Sequence, residues 1–117
     1  MLPQVTFRGM SPSTEIMEVV CRKTRKLSEI APLLRGCHVV IEASPRGSQR
    51  PSSYRVSVQL SNGSEAGRRN AHASDPHLPA ALRDAFRATR RQLEQRERHT
   101  RRGALLAEVE RHAGARG

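Results

Sequence analysis

The side chains that most often carry acid–base or metal chemistry are scattered through this sequence. The five histidines show no metal-ligand spacing, and there is no Cys-x-x-Cys pair; they are His38, His72, His77, His99 and His112. His38 and Glu42 would share one face of a strand, but about 13 Å apart, which is too far for a direct hydrogen bond. The sequence therefore predicts no enzyme, no metal site, no cofactor and no small-molecule substrate.

The two cysteines, Cys21 and Cys37, both fall in segments with an apolar pattern. Buried free thiols are the favoured interpretation, and a disulfide is the alternative. Reduced thiols would suit a cytoplasmic protein.

The charge of the chain is its strongest functional signal. In 117 residues, 21 Lys and Arg face 11 Asp and Glu, for a net charge of +10, and all but two of the cations are Arg. Residues 1–75 and residues 76–117 each carry half of the surplus. Such a balance favours a polyanionic partner, either nucleic acid or an anionic membrane surface. Compositional bias could explain why Arg replaces Lys, but it does not explain the excess over acids.

Other classes are disfavoured by composition. No window approaches 18 consecutive apolar residues, and the first residues lack the pattern of a signal peptide, so we expect neither a membrane span nor a leader. With no Trp, one Tyr and two Phe, the chain has almost no aromatic platforms on which to stack unpaired bases. Structured RNA, contacted through its backbone, fits this composition better than single strands do.

The first half of the chain predicts a strand, a helix and a second strand. Val5 and Phe7 alternate with polar neighbours, as in a short strand. Ser11-Pro12 predicts the N-cap and first position of a helix that ends before Pro32. Alternation returns over residues 37–43 and predicts the second strand.

The second half predicts two more strands and a long helix. Residues 54–60 alternate cleanly, and Asn62-Gly63 is a favoured two-residue hairpin turn. A weak fourth strand is predicted over residues 64–68, and a polar connection over 69–77. The second helix is predicted from Pro76 or Pro79 to about His99.

The resulting fold class is α+β, in the order β-α-β-β-β-α, with a four-stranded sheet and both helices on one face. We predict one domain over residues 1–100 and a basic, mobile tail over residues 101–117, in which a further helical turn or two is the alternative. The predicted core is Val5, Phe7, Ile16, Val20, Leu27, Val39, Ile41, Val56, Val58, Leu82, Phe86 and Leu93.

In the first predicted helix the cations lie opposite the apolar residues, and in the second they form a ridge that flanks the apolar stripe. The candidate RNA-binding residues are Arg22, Lys23, Arg25, Lys26, Arg83, Arg87, Arg90 and Arg91. The alternative is an ordinary solvated helix surface. In it, Arg83 pairs with Asp84, and Arg90 or Arg91 pairs with Glu94, each pair stabilising the helix by only a few tenths of a kcal/mol.

Five motifs in this order resemble the ribosome hibernation promoting factors, also called ribosome-associated inhibitor A or sigma-54 modulation proteins. The resemblance covers about residues 4–98. The motifs are VTFRGMSPS at 5–13, KTRKL at 23–27, CHVVIEA at 37–43, YRVSVQL at 54–60 and ALRDAFRATRRQL at 81–93.

The resemblance implies a fold like a double-stranded-RNA-binding domain and a translation inhibitor that acts in starvation or stationary phase. It implies binding to the small ribosomal subunit and its rRNA, in the channel used by mRNA and tRNA. By position, the family's RNA contacts fall on Lys23, Lys26 and Arg91; the other five cations are added from charge and spacing. Pro79 and His77 depart from the family's usual Tyr and Asp. With so few residues after Thr100, the chain resembles a short form.

Two other function classes stay open from the sequence. One is a structural or regulatory interaction protein, linked to transcription or binding RNA generally, with no role at the ribosome. The other, ranked third, is a small ribonuclease.

Overall fold

The structure is a computed structural model that describes residues 1–44, 53–63 and 68–114. Within helix α2, the side chains of residues 97–104 and 107–114 lie outside the description. The elements follow one another as β1 (Gln4–Arg8), α1 (Thr14–Ile30), β2 (Gly36–Ala43), β3 (Tyr54–Ser61), β4 (Arg69–Asp75) and α2 (Leu78–Gly114). The predicted α+β class and the order β-α-β-β-β-α are confirmed.

The four strands form one sheet in the order β1-β2-β3-β4. β1 and β2 are parallel, with Val5 opposite Val39, while the other two pairs are antiparallel. One face of the sheet packs with residues of both helices into a single core. The opposite face, which we call the open face, carries mostly polar side chains and no described helix. The likeness to a double-stranded-RNA-binding domain stays a prediction.

The turn between β1 and α1 depends on Gly9 and Ser13. Gly9 has φ +71°, and a Cβ there would lie 2.7 Å from the carbonyl oxygen of Ala43, so only glycine fits without strain. The N-cap predicted at Ser11 is wrong. Ser13 is the cap, and its Oγ accepts a hydrogen bond from the backbone N–H of Ile16. The helix ends before Pro32, as predicted.

The fourth strand lies at residues 69–75, where the sequence predicted a polar connection. Leu60 is opposite Arg69, which is incompatible with a two-residue turn at Asn62-Gly63. That turn would pair Ser61 with residue 64, whereas the observed register brings Ser61 opposite residue 68, four residues further along the chain. The predicted strand at 64–68 is therefore wrong for Arg68, and residues 64–67 lie outside the described residues. β4 alternates only through small side chains, because Ala71 is buried and Ala73 half-buried, and so its apolar pattern is faint.

Helix α2 begins at Leu78, between the two predicted starting points. Pro79 falls in the first turn, where backbone N–H groups have no helical partner and proline is tolerated. Asp75 supports this end, since its Oδ1 accepts a hydrogen bond of 2.8 Å from the backbone N–H of His77. The backbone continues as a helix to Gly114, which is the alternative noted for the tail. A domain boundary at residue 100 and a mobile tail stay predictions.

The core contains all twelve predicted residues, although Val5, Phe7 and Ile16 are only partly buried at its edge. The sequence missed Ala31, Cys37, Leu60, Leu78, Ala81 and Ala85, which are also buried there. Small side chains such as Ala81 and Ala85, both fully buried, let α2 approach the sheet closely. Among the described residues, no helix is both long and apolar enough to cross a membrane.

Candidate nucleic-acid interface

A groove between α1 and α2 brings together five of the eight predicted RNA-binding residues. Its volume is about 200 Å³. One wall carries Lys23 and Lys26 of α1, and the other carries Arg83, Arg87 and Arg90 of α2. We call it the interhelical groove. A positive cleft made from two separate helices follows from packing, since the two walls lie almost 60 residues apart in sequence.

Helical geometry places each wall beside the core. In α1, Val20 and Leu27 are buried on the sheet side, and a turn of 100° per residue puts Lys23 and Lys26 on the flank next to them. In α2, positions 83, 87 and 90 share the flank beside buried Phe86. The contact between the helices therefore presents two cationic flanks to one another.

The floor of the interhelical groove is apolar, formed by Leu27, Ile30 and Phe86. Leu27 and Phe86 are 3 % and 5 % exposed, so water has little access beneath the cations. Long Lys and Arg side chains can lie along such a floor and keep their charges at the rim. The volume is below that of typical small-molecule sites, so the groove suits a row of surface phosphates better than an enclosed ligand.

Two of the five groove cations have carboxylate neighbours on their own helix. Arg83 Nε lies 3.1 Å from Asp84 Oδ1, and Arg90 Nε lies 2.9 Å from Glu94 Oε1. Both pairs are well exposed and hold their partners weakly. These are the helix-surface pairs that the alternative of a solvated helix surface predicted. Among the described side chains, Lys23, Lys26 and Arg87 form no ion pair, so their charges face solvent unneutralised.

The remaining three predicted residues lie elsewhere. Arg22 and Arg25 line a separate cleft on α1 together with Met17, Glu18 and Cys21. We call this side the outer flank of α1, and the side with Lys23 and Lys26 its inner flank. Arg91 is exposed on α2, one turn beyond Arg87, and is not among the residues that line the groove.

The residues that first suggested chemistry do not assemble a reactive site. The His38 ring accepts or donates a hydrogen bond of 2.8 Å with Thr6 Oγ1, while Glu42 pairs with Arg8 at 3.2 Å. Among the described residues, no group of three His, Cys, Asp or Glu could hold a metal ion. His38 and Glu42 thus each bind a side chain of β1 and do not form an acid–base pair with one another.

The cysteines are free thiols, as the favoured interpretation held, but only Cys37 is fully buried. Burial raises the pKa of the Cys37 thiol, and its contact with Thr24 Oγ1 at 3.7 Å only partly offsets this. Cys21 is half-buried on the outer flank.

Sequence reasoning missed the apolar floor of the interhelical groove as part of the site. Leu27 was counted as core, and Ile30 was not singled out. The sequence does contain a signal for this floor. Lys23 lies four residues before Leu27, and Lys26 lies four residues before Ile30, so each lysine is next to an apolar residue on the surface of α1.

Comparisons with known proteins identify the fold and the family. A ribosomal subunit interface protein from Coxiella burnetii has a TM-score of 0.67 and 16% identity, covering 83% of this chain and 98% of that one. The N-terminal domain of Protein Y from Thermus thermophilus has a TM-score of 0.65 and 17% identity, covering 81% and 98%. At these identities the likeness shows the fold alone.

No individual curated protein sequence matches the chain. A family model, however, described as "Sigma 54 modulation protein / S30EA ribosomal protein", matches residues 4–101. This range includes every strand, helix α1, both walls of the interhelical groove and most of α2. The family resemblance read from the five motifs is thereby confirmed, and the chain belongs to the sigma-54 modulation protein / S30EA ribosomal protein family.

Proposed function

We propose that this protein is a hibernation factor that binds the small ribosomal subunit and its rRNA, in the channel used by mRNA and tRNA. It would hold the ribosome inactive in starvation or stationary phase. The family match and the ribosome-related neighbours favour this function over an interaction protein with no role at the ribosome. The observation that carries the proposal is the interhelical groove, where cations from two helices converge above an apolar floor.

The proposed mechanism needs no bond to be made or broken. Cations that approach RNA phosphates release condensed counterions, and this release supplies most of the affinity. Phosphate contacts position a protein without reading sequence, so the fold would recognise the shape of structured rRNA. The bound domain then blocks the channel by its volume. A ribonuclease is not needed to explain any feature of the site.

All eight predicted residues stay proposed contacts, with different weights. Lys23, Lys26 and Arg87 have the strongest claim, because they line the groove and form no ion pair among the described side chains. Arg83 and Arg90 must share their charge with Asp84 and Glu94. Arg91, Arg22 and Arg25 lie outside the groove and would contact RNA only where it extends around the helices. We expect the protein in the cytoplasm, where its proposed partner is.

Sedimentation of the full chain with purified small subunits through a low-salt gradient tests the proposal. We expect the protein in the subunit fraction at about 50 mM salt. With about six phosphate contacts, affinity should fall roughly a thousandfold by 200 mM. Absence of the protein from the subunit fraction at low salt would refute the proposal. Co-sedimentation that survives high salt would refute its electrostatic mechanism.

A further inference from the structure

A cavity at the open face of the sheet has a larger volume than the interhelical groove, and the proposed function does not use it. Its volume is about 530 Å³, within the range of small-molecule sites. It lies where β2 and β4 begin and β3 ends, and the row Gln4, His38, Gln59 and Asn70 in its lining lies on the side of the sheet away from the helices. It is therefore separate from the proposed rRNA surface.

One row of polar side chains crosses all four strands at this cavity. The pairing places Gln4 opposite His38, His38 opposite Gln59, and Gln59 opposite Asn70. All four line the cavity. Three of them are carboxamides, each of which offers a donor and an acceptor side by side. That pairing of groups matches the hydrogen-bonding edge of a nucleobase, as in the bidentate contacts of Asn and Gln with adenine.

The cavity also has a cationic side. Arg68, exposed and directly before β4, lines it, whereas Arg69 is opposite Leu60 and so belongs to the helix side of the sheet. Guanidinium groups bind phosphate oxygens through paired hydrogen bonds. Leu2, 88 % exposed, adds an aliphatic surface against which a flat ring can rest. The cavity thus offers one guanidinium for a phosphate, carboxamides for a base and one apolar contact.

We propose that this cavity binds a nucleoside phosphate, with Arg68 on the phosphate and Gln59 and Asn70 on the base. The ligand chemistry is shared by a free nucleotide and by one nucleotide of an RNA strand. The site is independent of ribosome binding, because it lies on the opposite face from the interhelical groove.

Calorimetric titration of the full chain with AMP, GMP, CMP and UMP tests this proposal. We expect saturable binding of at least one nucleotide at roughly 1 mM or below, and none of the matching nucleoside that lacks the phosphate. Arg68→Ala should weaken binding about tenfold or more, through the loss of a charged hydrogen bond. Gln59→Ala should weaken it and change the preference among the four bases.

Arg55→Ala is the matched control. Arg55 is exposed on the same open face, but its register positions are opposite Glu42 and Ser74, at the other end of the strands from the cavity. It should leave nucleotide affinity unchanged. A single-stranded RNA hexamer distinguishes the two sources: tighter binding than any mononucleotide identifies a strand, and weaker or equal binding identifies a free nucleotide. No saturable binding of either ligand, or equal losses in Arg68→Ala and Arg55→Ala, would overturn the proposal.

Discussion

The two flanks of helix α1 carry the same number of cations but present them differently. On the inner flank, Lys23 and Lys26 face the arginines of α2 across an apolar floor. On the outer flank, Arg22 and Arg25 stand beside Glu18 and the half-buried Cys21, and no second helix adds charge to that cleft. Residues adjacent in sequence therefore belong to different surfaces. A charge count along the chain detects both flanks, but the packing of α2 selects one of them.

The physical reason for this difference is convergence. Cations on two walls of one groove add their fields over the same small volume, and an apolar floor screens them less than water does. The outer flank projects its charges toward open solvent, where salt screens them within about 10 Å at moderate ionic strength. We therefore expect the inner flank to dominate RNA affinity.

We expect the largest difference between the two clefts when an apolar side chain in each is truncated and the free energy of unfolding is measured. Phe86 is 5 % exposed in the floor of the interhelical groove, whereas Met17 is 43 % exposed in the outer cleft. Phe86→Ala should lower the free energy of unfolding by about 3–5 kcal/mol. Met17→Ala should lower it by less than about 1 kcal/mol. Urea denaturation measures both, and similar losses would mean that the two clefts do not differ in their relation to the core.

Charge reversal should separate the flanks in binding. Lys26→Glu with Arg87→Glu replaces two proposed phosphate contacts with repulsions, and we expect affinity for the small subunit to fall about a hundredfold. The matched pair Arg22→Glu with Arg25→Glu makes the same change in net charge, but should cost only about threefold at moderate salt. Filter binding at fixed salt gives both affinities. Thermal melting is the folding control, since all four side chains lie at the surface.

The smallest effect is expected from covering the outer flank chemically. Cys21 is half-buried there, whereas Cys37 is 5 % exposed and its burial, which also raises the pKa of its thiol, keeps a bulky reagent away. A bulky maleimide at pH 7 should attach once per chain, at Cys21, as mass spectrometry of peptides can show. The labelled protein should bind the subunit within about twofold of the unlabelled one. A large loss would place the outer flank in the interface.

The raised pKa of Cys37 also predicts that the free energy of unfolding decreases at high pH. Because the folded-state pKa lies above a thiol's ordinary value of 9.0, the neutral thiol stabilises the fold fully below that value. This contribution is lost as pH rises through the folded-state pKa. The labelling experiment is therefore best performed at neutral pH, where Cys37 stays buried.

Strong alternation made much of the fold predictable from the sequence. The third strand was read correctly because Val56, Val58 and Leu60 face the core in strict alternation. β4 was misplaced because its inward residues, Ala71 and Ala73, are too small to register as a strand pattern. Its position is set by pairing with β3 and by packing under α2, which are contacts between residues distant in sequence.

The candidate site was half predictable for a related reason. Helical spacing predicted one basic ridge of Arg83, Arg87, Arg90 and Arg91 on α2. The first three line the interhelical groove, and Arg91 does not. Whether Lys23 or Arg22 faces that flank depends on how α1 is rotated about its axis. The rotation is decided by burial of Val20 and Leu27, and a local charge pattern does not contain it. The apolar floor became visible only once both helices were in place.

The salt dependence of binding tests the central claim most directly. The logarithm of the affinity for the small subunit should be measured against the logarithm of salt concentration for the wild-type chain and two neutral variants. Lys26→Ala with Arg87→Ala should make the slope shallower by about two, because two phosphate contacts disappear. Arg22→Ala with Arg25→Ala should leave the slope unchanged. Equal changes in both variants, or a change only in the second, would contradict the claim that RNA binds in the interhelical groove.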